Sequence, residues 1–228
     1  MGMEACPRCT EAGNDTAGDN LAVYEDGHAH CFACGYHRHA GADSGNGRDN
    51  NDRLTMTEQF APWRGITRDT MKFYNVLTQV AADGTPLEVH LPYPKGLKVR
   101  KVAEKAFVTR GDMSSGQLFG QDKFPAGSAK AITITEGELD ALSAFQMLGS
   151  KWPVVSVRSS SSAKKDCSDQ FDYLNSFETI YLCFDNDEAG QNAIKAVAGL
   201  FDFNKVRHVR LTVRKDANEF LEAGEEEK

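Results

Sequence analysis

Two short apolar runs that stop abruptly at acid constrain this chain more than any other feature. Ile132, Thr133, Ile134 and Thr135 stop at Glu136; Ile180, Tyr181, Leu182, Cys183 and Phe184 stop at Asp185, Asn186 and Asp187. Short runs rich in β-branched and aromatic residues read as buried strands. A helical pattern follows at once: Leu139, Leu142, Phe145 and Leu148 recur at three-residue spacings after Glu136. Strands alternating with helices through short joins imply parallel pairing and right-handed crossovers. In a parallel sheet, residues just past the strand carboxyl ends gather in one crevice, where such folds bind ligands. Glu136, Asp185 and Asp187 therefore converge although about fifty residues separate them. Carboxylates that close repel unless cations lie between them, and hard oxygen donors suit magnesium or manganese. The chemistry implied is metal-assisted phosphoryl transfer. Helix capping explains one acid at a helix start, but not three at the ends of successive strands.

The neighbouring segments fit the same frame. Residues 154–157 form a further strand, and Arg158 with the serines to Ser162 makes a polar loop beside the crevice. Lys164 and Lys165 open a helix there, within reach of phosphate by position. Asp140 lies one helical turn beyond Glu136, where it either supports the site or faces solvent. The helix after Asp187 turns its N-terminal amides toward the crevice, which favours anions. A fourth strand is expected over residues 206–213, and by the same strand-end rule Asp216 joins the acids.

Near the N-terminus, Cys6 with Cys9 and Cys31 with Cys34 make two C-x-x-C pairs. Each pair turns both sulfurs to one point, and two pairs complete a tetrahedral zinc site. Leu21 to Tyr24, a turn at Asp26 and Gly27, then His28 to Phe32 read as a hairpin between them. The result is a zinc ribbon, with one structural ion replacing a core that so short a segment cannot build. Disulfides require an oxidising compartment that nothing in the sequence supports. Arg8, Tyr24, Asp26, His28 and His30 are either exposed strand residues or readers of unpaired bases. Cys167 and Cys183 read as plain buried thiols.

Residues 35–51 are dense in Gly, Asn, Asp and Ser and read as a flexible linker. A coil over residues 40–56 spans roughly 20–25 Å, so the ribbon is a tethered reader. Thr67 is placed to cap a helix through Met71 to Tyr74 beside Trp63 and Ile66. Two strands joined by a turn at Asp83 and Gly84 follow. Lys95, Lys98, Arg100, Lys101, Lys105 and Arg110 then face one acid, Glu104. Such a run is either a solvated face or a surface for phosphates.

Composition decides less. A net charge of −7 over 228 residues is not the basic balance usual in a nucleic-acid binder. The charges are segregated, however: acids crowd the tail (Glu222, Glu225, Glu226, Glu227), bases the middle. No apolar run approaches the ~18 residues of a membrane span, and no signal peptide opens the chain. The expectation is a cytosolic protein.

Three stretches carry a family resemblance: TEGELDAL from Thr135, FDNDEAG from Phe184 and KDANEF from Lys215. Strand-Glu-Gly, then strand-Asp-x-Asp-x-x-Gly, resembles the signature of the Toprim fold of primases, topoisomerases and some nucleases. The wording is similar to the primase half of the T-seven group of phage primase–helicases, and the likeness runs from Cys6 to Phe220. It implies a parallel-sheet α/β Toprim core with a preceding basic α+β subdomain and an N-terminal zinc ribbon. The implied divisions are residues 1–38 (ribbon), 39–56 (linker), 57–128 (basic subdomain), 129–221 (Toprim) and 222–228 (acidic tail). The activity implied is DNA primase, joining ribonucleoside triphosphates on single-stranded DNA by two-metal phosphoryl transfer in the host cytoplasm.

The resemblance also assigns roles. Glu136, Asp185, Asp187 and Asp216 would hold two magnesium or manganese ions. Lys98, Arg100 and Lys105 would contact the nucleotide, and Asp26 and His28 would read the template. A replicative helicase and a DNA polymerase are the implied partners, with no membrane. No G-x-x-x-x-G-K-[ST] motif occurs in the chain, so an excised primase and a stand-alone primase both fit. Two rival readings share features. A RecR-type recombination mediator would bind DNA and incorporate no nucleotide; a Toprim nuclease would cleave strands with magnesium alone.

Overall fold

A computed structural model of the chain describes residues 2–25, 27–34, 36–38, 57–114 and 116–224. Asp26, the linker over residues 39–56 and the acids Glu225, Glu226 and Glu227 lie outside the described residues. The chain divides into two units, residues 1–52 and 53–228.

The first unit is a four-stranded antiparallel sheet in the order β1 (Gly2–Glu4), β2 (Leu21–Val23), β3 (Ala29–Cys31), β4 (His37–Arg38). The expected hairpin is β2–β3, with Leu21 opposite Cys31 and Val23 opposite Ala29. Strands β1 and β4 are too short to show a period of two in the sequence. The helix α1 (Pro7–Glu11) carries Pro7 in its first turn, where a missing N–H breaks no hydrogen bond. Its buried cluster is Cys6, Cys9, Leu21, Ala29 and Cys31, so the cysteines themselves make up most of the core.

The second unit begins with a five-stranded antiparallel meander and one helix. In chain order these are β5 (Thr57–Gln59), α2 (Arg68–Phe73), β6 (Leu77–Val80), β7 (Pro86–Tyr93), β8 (Gly96–Lys101) and β9 (Ala106–Gly111). Thr67 caps α2 as expected, its hydroxyl accepting from the Thr70 N–H, an interaction worth ~1 kcal/mol. The β6–β7 turn forms at Asp83 and Gly84, with Gly84 at φ 85° and the Asp83 carboxylate accepting from the Thr85 N–H.

The remainder alternates strand and helix: β10 (Ala131–Thr135), α3 (Glu138–Met147), β11 (Val154–Ser156), α4 (Ala163–Asp169), α5 (Phe171–Asn175), β12 (Thr179–Cys183), α6 (Glu188–Ala198), β13 (Val206–His208) and α7 (Ala217–Glu222). The sheet order is β11-β10-β12-β13, and every pairing is parallel. Ile132, Ile134, Ile180 and Leu182 are buried on one face. On the other face Thr133 and Tyr181, with Met147 of α3, Leu148 just past its end and Phe220 of α7, line an apolar cavity of about 560 Å³ into which no carboxylate faces.

Meander and parallel sheet share one core. Tyr74 stacks on Phe119 and donates to the Val154 carbonyl at 2.8 Å. Gln146 of α3 accepts from the Thr67 N–H and donates to the Gly65 carbonyl.

One expectation is corrected. The fourth strand stops at His208 and does not continue to residue 213. In register, Ile180 faces Val206 and Leu182 faces His208, and β12 ends at Cys183. The partner strand runs out, and Val209 N–H to Leu182 carbonyl is the last sheet bond there. The chain then turns Leu211 into the core, and Asn186 donates its side-chain N–H to the Leu211 carbonyl. Asp216 therefore reaches the site through an irregular segment, as the N-cap of α7.

Candidate metal centre and nucleotide-binding face

Glu136 follows the last residue of β10, and Asp185 lies two residues past the end of β12, its neighbour in the sheet. Desolvation pushes the Glu136 carboxyl above its ordinary range, reinforced by the charge of Asp185, and its Oε2 is buried without a hydrogen-bond partner. Desolvation also raises Asp185, with Lys215 opposing and Asp216 and Asp187 adding to the rise. Asp187 behaves differently. It caps α6 by accepting from the Gly190 N–H at 3.0 Å, and that bond lowers its carboxyl. Asp216 accepts from the Glu219 N–H at 2.8 Å.

The glycine of the D-x-D-x-x-G stretch has a steric reason. A Cβ on Gly190 would lie 2.2 Å from the Asp185 carbonyl oxygen. Only glycine lets the first turn of α6 approach the strand end closely enough to set Asp185 and Asp187 side by side.

Asp140, for which two orientations were open, faces inward. Its Oδ1 accepts from the Asn218 N–H at 3.1 Å. Burial raises its carboxyl well above the ordinary range, followed by the charges of Asp216, Asp185 and Glu136. Asn218 also donates to the Arg64 carbonyl and to Ser143 Oγ, tying α7 to α3. Because the folded state disfavours ionised Asp140, it binds more protons than the unfolded chain above about pH 4, and stability falls as pH rises through the folded value. Asp140→Asn keeps the acceptor and removes the charge. In metal-depleted buffer it should raise the melting temperature at pH 7.5, at about 2–4 °C per kcal/mol for a unit of this size. The gain should shrink as pH is lowered toward 4. No gain at pH 7.5 would show that the buried charge does not weaken the fold.

No three of these acids bring oxygens to within 4.8 Å of one another among the described residues. A cation already stands between two of them: Lys215 Nζ lies 3.1 Å from Asp185 Oδ2 and 3.3 Å from Asp187 Oδ2. Hydrogen bonding to Asp185 raises the Lys215 ammonium. Hard oxygen donors, a buried unpartnered Glu136 oxygen and an ammonium between the two aspartates all suit divalent cations. The one signal of Lys215 in the sequence is its place in KDANEF.

On the basic side, Lys98 and Arg100 share a face of β8. The Lys98 ammonium is 2.9 Å from Glu138 Oε1, 3.0 Å from Oε2 and 2.9 Å from the Arg158 carbonyl. Tyr93 donates to the same carboxylate at 2.7 Å. Glu138, unassigned from sequence, is thus a buried partner for Lys98. The Arg100 guanidinium lies 5.5 Å from the Trp63 ring and 5.3 Å from the Phe107 ring, and its Nε is buried without a partner. Lys105 sits in the β8–β9 turn at φ 52°. Arg158 is held by buried Asp166, which accepts from both its backbone and its side chain.

In the first unit, Cys6, Cys9, Cys31 and Cys34 place all four sulfurs within 4.8 Å of one another. Cys6 and Cys34 are 3.5 Å apart, and Cys9 and Cys31 are 3.6 Å apart. These separations exceed a disulfide bond and fit a tetrahedron with metal–sulfur bonds of about 2.3 Å. Burial raises the Cys31 thiol, but hydrogen bonds from the backbone N–H groups of Cys34 and Ala33 and from the Cys34 and Cys6 thiols together bring the value down to about 7. The cluster fits structural zinc. His28 stacks on Tyr24 with ring centroids 4.2 Å apart.

A parallel sheet whose strands deliver acids beside a glycine-tightened helix start defines a Toprim-type catalytic domain. Residues 133–221 match the Toprim-like family. The chain is 32% identical over 246 residues to the DNA helicase/primase of Enterobacteria phage T3, an alignment covering 93% of this chain and 41% of that relative. The crystal structure of the primase fragment of the bacteriophage T7 primase-helicase protein superposes with a TM-score of 0.67 and 29% identity, over 98% of this chain and 95% of that one. A chain in the structure of bacteriophage T7 lagging-strand DNA polymerase interacting with primase domains of two gp4 subunits, bound to an RNA/DNA hybrid and dTTP, gives 0.65 and 33%, over 76% of this chain and 89% of that one. The chain is a Toprim-fold primase domain. It belongs to the family of the T7 and T3 phage primase–helicase proteins, and it spans about two fifths of the T3 protein's length. Among the described residues no helix is long and apolar enough to cross a membrane.

Proposed function

We propose that the chain synthesises short RNA primers from ribonucleoside triphosphates on single-stranded DNA for lagging-strand replication. The observation that carries this reading is the set of acids Glu136, Asp185, Asp187 and Asp216 at neighbouring strand and helix ends of a primase-family domain, two of which, Asp185 and Asp187, share the Lys215 ammonium. These four residues would hold two divalent ions, which stabilise charge on the attacking and departing oxygens when bound. Asp187, aligned by the Gly190 N–H, and Glu136, with a buried free oxygen, are pre-set acceptors. Arg100 presents a buried, unpartnered N–H donor that suits a phosphate oxygen. Lys98 would reach the triphosphate by exchanging part of its bond to Glu138, and Lys105 would approach from the turn. In the ribbon, His28 and Asp26 would read the template. A replicative helicase, fused or separate, and a DNA polymerase would be the partners.

The test is primer synthesis on a pool of random single-stranded DNA with magnesium and four ribonucleotides, one labelled. Labelled oligoribonucleotides that disappear with Glu136→Gln are the expected result. Template binding without incorporation would overturn the reading in favour of a recombination mediator, and a shortened template in favour of a nuclease.

A further inference from the structure

Lys215 is not a surface lysine that happens to lie near acid. Its backbone is held on both sides: its N–H donates to Glu219 Oε2 at 3.0 Å, and its carbonyl accepts from the Asn186 N–H at 2.8 Å. Asn186 lies between the two aspartates, so the bond fixes the Lys215 backbone against the loop that carries both. Its side chain is half exposed, whereas that of Asp185 is 15% exposed. The ammonium therefore enters the site from the solvent side on a flexible four-carbon stem that springs from an anchored backbone, and it can leave without disturbing that backbone.

We propose that Lys215 is the resident counter-ion of the acidic site, holding Asp185 and Asp187 together until a divalent cation displaces its ammonium. This rests on the reading of those aspartates as metal-holding residues. Glu136, Asp140, Asp185, Asp187 and Asp216 collect negative charge at the carboxyl ends of β10 and β12 and the starts of the helices beside them, and like charges close together destabilise a fold unless compensated. Lys215 supplies compensation from within the chain. A divalent ion brings twice the charge to the same oxygens and releases the ammonium toward solvent. The released cation is then placed to meet whatever anionic ligand arrives with the metal.

The test uses the full, zinc-loaded chain and manganese as probe, with bound ion measured by loss of the free-ion electron paramagnetic resonance signal. Lys215→Ala removes the competitor and should bind manganese about tenfold more tightly. Lys215→Arg substitutes a two-pronged donor that grips carboxylates harder, and should bind manganese more weakly than the unsubstituted protein. In metal-depleted buffer Lys215→Ala should melt lower than the unsubstituted protein, and manganese should restore it. Lys215→Met, which keeps the stem and loses the charge, repeats both measurements if the alanine variant folds poorly. Equal manganese affinity across these proteins, with binding lost in Asp185→Asn, would overturn the counter-ion role and leave the metal site standing. Absence of manganese binding from both the unsubstituted protein and Lys215→Ala would overturn the metal reading itself.

Discussion

Asp185→Asn should abolish primer synthesis, a loss of at least about 10³-fold on the scale of removing a principal charge-stabilising group, while the protein melts no lower than the unsubstituted chain. The two halves of this result have one cause. Asp185 is desolvated, and its carboxyl is raised even though Lys215 touches it. Its ionised form is therefore disfavoured in the folded state. Asparagine keeps the shape and one oxygen acceptor, removes the repulsion with Asp187 and Asp216, and cannot hold a divalent ion. Gly190 still packs on the Asp185 backbone carbonyl, so the loop keeps its course. Primer yield on a gel and a thermal melt in metal-depleted buffer are the measurements. Synthesis within about tenfold of the unsubstituted level, against that ~10³-fold expectation, would remove Asp185 from the site. A sharply lowered melting temperature would make its role structural.

Cys31→Ser should release the zinc, unfold the ribbon and stop initiation on single-stranded DNA, while extension of a supplied short primer persists. The ribbon's buried cluster is five residues, and three of them, Cys6, Cys9 and Cys31, are candidate ligands. Removing the ion thus removes both the cross-link and most of the core. In zinc-finger peptides the binding energy that folds such a segment is of the order of 10–16 kcal/mol. The unit over residues 53–228 has its own core, built on Tyr74, Phe119, Phe145 and the parallel sheet, and should stay folded. Metal analysis should find about one zinc per unsubstituted chain and none in the variant, as a four-ligand structural site requires. Loss of primer extension along with initiation would show that the ribbon does more than read the template.

The acids and the cysteines were legible because each depends on short stretches of chain. A β-rich run ending in acid and followed by a helical pattern places Glu136 and Asp185 by strand-end topology alone. A C-x-x-C pair turns its own sulfurs together. The hairpin turn at Asp83 and Gly84 and the cap at Thr67 are local for the same reason. The fourth strand was misjudged because the apolar alternation of residues 206–213 says nothing about where the neighbouring strand ends. That end, at Cys183, decides that pairing stops at His208.

By itself the sequence determined which residues could do chemistry: the strand-end acids, the thiol pairs, the basic strand. Only the tertiary structure decided what those residues meet. Lys98 finds Glu138 forty residues away, Asp140 finds the backbone of Asn218, and Lys215 finds Asp185 and Asp187. Spacing along a chain reports local sterics, but charges couple through space at a few ångströms, and those distances exist only once helices and sheet have packed.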